Sequence, residues 1–231
     1  MKAGLEKQNL QDIINSVPWY HRIELLPGLS TPGVSDVSQH AATLYLPEDC
    51  TGMRVLDIGP ADGFYTFLME QRGASVIAIE KEPRKSFTAL REITGCKTEL
   101  IIDNVYNISK HKYGTFEVVL FLGVLYHLRN PLLALDRIRD VCTQRLFVES
   151  HVEVGSMSPD VPVAHFYPTE ELGKDYTNWW GPNLLCLTRM VESSGFRVTH
   201  IHPIGSRGVC IAVPNHNERL EYFIKYDYKY L

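Results

Sequence analysis

Between Met53 and Glu80 the chain passes through an apolar run ending in Asp57, a turn holding Gly59 and Gly63, an amphipathic stretch from Tyr65 to Arg72, and a second apolar run, Ala74 to Ile79, closed by Glu80. Strand, glycine turn, helix and strand, in that order and ending in a carboxylate, constrain the fold more tightly than any composition does. The arrangement is a half-site for an adenosine-containing cofactor. Its glycines let the backbone approach a ligand closely, and the closing acid accepts hydrogen bonds from two ribose hydroxyls.

The same rhythm runs through most of the chain. Helices at 62–72, 84–94 and 131–140 alternate with strands at 54–58, 75–80, 98–102, 116–122 and 144–151. Such spacing predicts an α/β fold, a Rossmann-like doubly wound and mostly parallel sheet with helices on both faces. A helix at 184–194 leads to strands at 196–203 and 208–213, a hairpin turning through Gly205-Ser206-Arg207-Gly208 with an antiparallel last strand. Ahead of the first strand, helices are expected over 5–17 and 36–46, so residues 1–46 read as an N-terminal helical lid. Residues 152–183 are too long for a connector and read as an insert after the fifth strand, on the acceptor side. The tail 217–231, with Tyr222, Tyr226, Tyr228 and Tyr230, reads as a surface helix or an arm packed on an edge. At 231 residues the whole, 1–231, is expected to be one domain.

Composition narrows the classes. An apolar fraction of 45% and a charged fraction of 22% are those of a soluble globular protein. No apolar stretch approaches the ~20 residues that span a bilayer, and the first residues show no basic-apolar-small signal pattern, so a cytoplasmic protein without membrane contact is expected. The five cysteines are scattered without C-x-x-C spacing, which argues against a disulfide framework and a zinc site; no metal is expected. A net charge of −4 gives no encouragement to a phosphate-gripping surface.

The turn separates two cofactor classes. A dinucleotide fingerprint has a middle glycine against the pyrophosphate, but Gly59-Pro60-Ala61-Asp62-Gly63 has Ala61 there. Asp57 would also repel a pyrophosphate. S-adenosyl-L-methionine, with an ammonium and a sulfonium and no phosphate, finds that acid useful.

Val55-Leu56-Asp57-Ile58-Gly59 with Gly63 and Glu80 resembles motif I and the acidic loop of class I S-adenosylmethionine-dependent methyltransferases. Phe121-Leu122-Gly123-Val124-Leu125-Tyr126-His127-Leu128-Arg129-Asn130-Pro131-Leu132 resembles the motif after the fourth strand in one branch of that family. The branch contains the bacterial wobble-uridine tRNA carboxymethyltransferase and its small-molecule relatives. The resemblance implies that Gly59 lies under S-adenosyl-L-methionine, that Glu80 holds its ribose, and that Asn104 and Val105 flank its adenine. Leu122 and Tyr126 would pack near the methionine portion, though Leu122 is equally read as core. Pro60, Phe64 and Lys81 complete the expected cofactor set with Asp57, Gly63 and Tyr20. The last comes from Trp19-Tyr20-His21, a lid over the cofactor or a hydrophobic latch.

Methyl transfer is an in-line displacement served mainly by positioning. A general base is needed when the acceptor must lose a proton, and histidine is the usual one. His151, closing the fifth strand with Glu149 two residues back on the same face, is the preferred base; His127, after Tyr126, is the other candidate. Phe166-Tyr167-Pro168 and Asn178-Trp179-Trp180-Gly181-Pro182-Asn183 either cap the core or wall an acceptor pocket. Tyr126, His151, Phe166, Trp179, Trp180 and Asn183 are accordingly the expected acceptor contacts.

The resemblance also has a boundary. A carboxylated donor needs cationic and indole partners before motif I, and Pro32 to Ala42 contains neither Lys, Arg nor Trp; the enzyme's larger N-terminal region has no counterpart here either. Plain methyl transfer to an oxygen or nitrogen of a small-molecule acceptor, a natural product, sugar or other metabolite, is therefore expected. A tRNA-modifying enzyme acting on a wobble uridine and a non-catalytic cofactor-binding module remain the alternatives, and a homodimer is compatible with any of them.

Overall fold

The structure, a computed structural model, describes residues 7–155 and 158–216, and the tyrosine-rich tail lies outside them. The chain falls into two compact units, which meet in sequence between Asn104 and Val105. Three strands of the first unit pair in parallel, and four strands of the second form a mixed ladder.

In the first unit, β1 (Arg54–Ile58), β2 (Ser75–Glu80) and β3 (Leu100–Ile102) pair in parallel, Ile58 opposite Ile79 and Glu80 opposite Ile102. Val55 and Leu56 are fully buried, as an interior parallel strand requires. β3 starts two residues later than the sequence predicts. The N–H groups of Lys97 and Thr98 are taken by the Glu70 carboxylate, which removes them from the ladder. Helices α1 (Lys7–Ser16), α2 (Val37–Thr43), α3 (Phe64–Gln71) and α4 (Lys85–Thr94) clothe this unit. Asp36 caps α2 through the Ser38 N–H, 3.0 Å away. α1 buries Leu10 and Ile14 against Ile93 of α4, so it packs on another helix. The expected helical lid is thus only partly helical: an extended segment, Trp19 to Arg22, reaches the glycine turn instead. Short pairs, 21–22 with 35–36 and 24–26 with 29–30, stitch that segment together.

In the second unit the strand order is β6 (Phe196–Ile204), β7 (Arg207–Pro214), β5 (Cys142–His151), β4 (Phe116–Leu122). β4 and β5 are parallel, and β7 runs antiparallel to both its neighbours. α5 (Lys110–Tyr113), α6 (Pro131–Val141) and α7 (Leu184–Ser193) accompany them. Phe116, Phe121, Phe147, Leu135, Ile138 and Leu187 form much of its buried interior. The last hairpin turns through Gly205 and Ser206 alone, and Arg207 belongs to β7. The insert is anchored by an antiparallel pair, Ala164–Phe166 with Trp180–Pro182.

Candidate active site

β1 delivers Asp57 to the carboxyl end of the strand, where it is 2% exposed and accepts a 2.6 Å hydrogen bond from Thr66 Oγ1 of α3. Burial pushes its carboxyl up to about 7, the Thr66 hydrogen bond opposes this, and the charge of Glu80 adds to it. Such a carboxylate is poised to gain a cationic partner. Gly59 and Gly63 both take left-handed φ, 71° and 89°, and between them Ala61 does so at 50°. At Gly63 the absence of a side chain also serves packing: a Cβ would stand 2.7 Å from the Phe87 ring and 2.8 Å from that of Phe67. Pro60 is buried, and its carbonyl accepts from the Gly63 N–H at 2.8 Å.

Glu80 ends β2, buried, with Oε1 2.9 Å from the Lys81 N–H and Oε2 3.6 Å from Arg84 Nε. The Asp103 N–H reaches the Glu80 carbonyl at 3.0 Å, so Asn104, exposed, follows directly after the β2–β3 pairing. Lys81 is exposed. Phe64 is half-buried and packs against a hydrophobic cluster that includes Ile23, Phe67 and Leu90.

Asp62, within the turn, is a residue whose work the sequence did not reveal. It is 3% exposed and accepts from the backbone N–H groups of Tyr20 and His21, at 2.9 and 2.6 Å. One buried carboxylate thereby clamps the extended N-terminal segment onto motif I and leaves the Tyr20 ring half exposed. Burial holds His21 below its ordinary value despite Asp62 beside it. Two grooves of this unit, about 340 and 230 Å³, lie along α4 with β3 and along α3 with Ile23 to Leu25; neither contains Asp57, Gly59 or Glu80.

In the second unit Val105 is buried at the start of a short 3-10 turn, 105–107. Leu122, half-buried, ends β4, and Gly123, at φ 73°, opens the 3-10 turn Leu125–His127. Tyr126 is buried with its ring 4.1 Å from that of His127 and 6.2 Å from that of His151. Arg207 lies over the same ring, 4.6 Å from its centroid. Arg207 also grips Glu149 through two hydrogen bonds, Nη2 to Oε2 at 2.8 Å and Nε to Oε1. Glu149 raises the Arg207 guanidinium against the opposing effect of burial.

Glu149 is therefore committed to Arg207, and the pairing with His151 expected from their shared strand face is not the one present. His151, 8% exposed, instead has Nε2 3.2 Å from Oε1 of Glu153, just past β5. The same Oε1 accepts the Tyr167 hydroxyl. Burial and the Glu153 charge raise Tyr167, which keeps that hydroxyl a donor. Gly181 covers the contact; a Cβ there would meet the Tyr167 oxygen at 2.7 Å.

The insert brings three of its aromatics together. Phe166 stacks on Trp179 at 6.0 Å and meets Trp180 at 5.1 Å, and Arg129 lies 4.4 Å over the Trp179 ring. Trp179 N–H donates to the Tyr126 carbonyl and Trp180 Nε1 to that of Leu128, joining the wall to the 125–127 turn. Asn183 has a structural post at the end of the insert. Its oxygen caps α7 at the Cys186 N–H, and its Nδ2 holds the carbonyls of Ser158 and Val161. Among the described residues no group of three or more His, Cys, Asp or Glu is placed to hold a metal ion. Nor is any helix there long and apolar enough to cross a membrane.

A family profile described as a methyltransferase domain matches residues 36–201. The tRNA U34 carboxymethyltransferase of Dichelobacter nodosus is 27% identical over 154 residues, 64% of this chain and 47% of that protein. Its counterpart in Aeromonas hydrophila is 28% identical over 152 residues, 63% of this chain and 45% of its own. The chain thus spans about half the length of the curated relatives it matches. Among solved structures, the N-terminal domain of EvdMO1 with SAH bound is similar with a TM-score of 0.65 at 20% identity, over 92% of this chain and 98% of that one. The Burkholderia thailandensis 1,6-didemethyltoxoflavin-N1-methyltransferase, with its acceptor and S-adenosylhomocysteine bound, reaches 0.56 at 15% identity over 72% of each chain. These two structural likenesses speak to fold.

Proposed function

This chain belongs to the class I S-adenosylmethionine-dependent methyltransferases, and on that premise we propose that it methylates an oxygen or nitrogen of a small-molecule acceptor. The proposal gives the donor to the first unit. Asp57, buried and held near 7, fits the ammonium of S-adenosyl-L-methionine, and Glu80 fits its ribose hydroxyls. Bound there, S-adenosyl-L-methionine supplies an electrophilic methyl group on a sulfonium. Gly59 admits the donor's close approach, and Asn104 and Val105 take the adenine.

The acceptor falls to the second unit. The observation that carries the reading is His151 held by Glu153 next to the Tyr126 ring, in a unit whose insert presents Phe166, Trp179 and Trp180 as an aromatic wall. A wall of that kind excludes water and orients a flat or apolar acceptor. His151 takes the proton of the acceptor's hydroxyl or amine as the new bond to the methyl carbon forms, and Glu153 stabilises the imidazolium. A base so placed contributes about 10²–10⁴-fold. Tyr126 orients the acceptor.

The curated relatives favour a second reading, methyl or carboxymethyl transfer to a tRNA wobble uridine. The net charge of −4 supports the first reading against it. Incubation with methyl-labelled S-adenosyl-L-methionine and an extract of the source organism separates the two. Label in the low-mass fraction is the expected result, and label in RNA overturns it.

A further inference from the structure

His127 Nδ1 lies 2.9 Å from Thr177 Oγ1 and 3.3 Å from the Thr177 carbonyl oxygen. Which ring nitrogen carries the proton follows from what Thr177 has left to give. Its hydroxyl proton goes to Asp175 Oδ1 at 2.7 Å, and Asp175 also accepts from the Thr177 N–H at 2.8 Å. An ionised carboxylate only accepts, so the hydroxyl donates to it and turns a lone pair toward the ring. The carbonyl beside it is likewise an acceptor. Both atoms facing Nδ1 therefore require a donor there. The unrestrained neutral imidazole side chain favours the opposite tautomer, protonated on Nε2, so the insert holds His127 against its own preference.

We propose that Thr177 and Asp175 are positioning residues that fix neutral His127 with its proton on Nδ1. Nε2 is then the accepting nitrogen of the ring. The tautomer stands independently of the methyltransferase reading, and only its use in positioning the 125–127 turn rests on that reading. It gives the insert a task beyond its aromatic wall. Its segment 175–177 reaches back to the 125–127 turn and sets one nitrogen of a histidine packed 4.1 Å from Tyr126. A charged Asp175 also steadies the Nδ1–H indirectly, through the polarised Thr177 hydroxyl.

The test is long-range proton–nitrogen NMR of the protein labelled with ¹⁵N-histidine, at a pH where the ring is neutral. The expected result is His127 protonated on Nδ1 in the wild-type chain. Thr177→Val removes the hydroxyl acceptor and should reduce the ratio of Nδ1–H to Nε2–H at least about tenfold, while Thr177→Ser restores it. A wild-type ring protonated on Nε2 overturns the proposal, and does so whether or not the variants fold. An unchanged ratio in Thr177→Val overturns it too. Methyl transfer measured on the same sample distinguishes the two layers. Transfer with an Nε2–H ring sinks the positioning alone, and an Nδ1–H ring with no transfer to any acceptor sinks the methyltransferase reading.

Discussion

Arg207 reaches diagonally across the antiparallel pairing of β7 and β5 to hold Glu149, whose register partner is Val209, two residues further along β7. Both side chains are largely withdrawn from solvent, at 21% and 13% exposure. Two buried charges in bidentate contact cost little while both are present and much when one is removed. Arg207→Ala should therefore destabilise the chain by about 3 kcal/mol. The joint replacement Arg207→Met with Glu149→Leu should recover most of that loss in urea unfolding. Equal losses in the single and joint variants would show that the pair has no such coupling.

Asp57 makes stability and donor binding depend on pH in opposite senses. Its carboxyl, ordinarily near 3.8, stands at about 7 in the folded chain, so between those values the folded state keeps a proton that the unfolded chain has lost. Without donor, this contribution to stability is full below 3.8 and is lost as pH rises through about 7, at up to about 1.4 kcal/mol per pH unit. A cationic donor needs the ionised form, so its affinity should fall as pH drops below about 7, with one proton released on binding. Asp57→Asn should flatten both profiles. Thermal melts and calorimetry in buffers of different ionisation heat measure them.

Asp62 is the point at which the N-terminal segment meets motif I. Asp62→Ala strands the N–H groups of Tyr20 and His21, and should cost about 2 kcal/mol. Hydrogen exchange localises the effect: the amides of residues 20 and 21 should lose protection while those of β4 and β5 keep theirs.

Gly63→Ala combines a left-handed backbone with a clash against Phe87 and Phe67. A loss of about 3 kcal/mol is expected from strain and overpacking together. A chemical-denaturation midpoint unchanged from wild type would contradict it.

Most of the sheet was legible from the sequence because its strands are apolar runs bounded by glycine or acid. β1, β2 and β4 have the bounds that their patterns predict, 54–58, 75–80 and 116–122. β3 was misjudged because Glu70, almost thirty residues earlier, competes for its first N–H groups. The placing of Asp57, Gly59 and Glu80 was legible for the same reason as the strands: one strand–helix–strand unit sets them at two strand ends and in the turn between. The packing of Phe64 was not, since it depends on which face of α3 meets Ile23.

The surroundings of the later strand ends were harder to read. Tyr126, His127 and His151 stand at strand ends and could be named, but their partners could not. Thr177 meets His127 and Arg207 meets Tyr126 through long-range contacts made by the insert and the last hairpin, while Glu153, held by Tyr167, meets His151 from only two residues away. A glutamate two residues after His151 is as close in sequence as the one two residues before it. Only the Arg207 contact decides which of them the histidine receives. The hairpin reading placed Arg207 in the turn, and β7 beginning at Arg207 is what carries its guanidinium to Glu149.

The central claim is that two carboxylates at the ends of adjacent strands hold the methyl donor, Asp57 its ammonium and Glu80 its ribose. Titration calorimetry with S-adenosyl-L-methionine, comparing the wild-type chain with Glu80→Ala, tests it directly. The account predicts binding of one donor per chain, weakened at least about tenfold by loss of the ribose acceptor. Undiminished affinity in Glu80→Ala, or a wild-type chain that binds a nicotinamide dinucleotide and not the sulfonium donor, would contradict it.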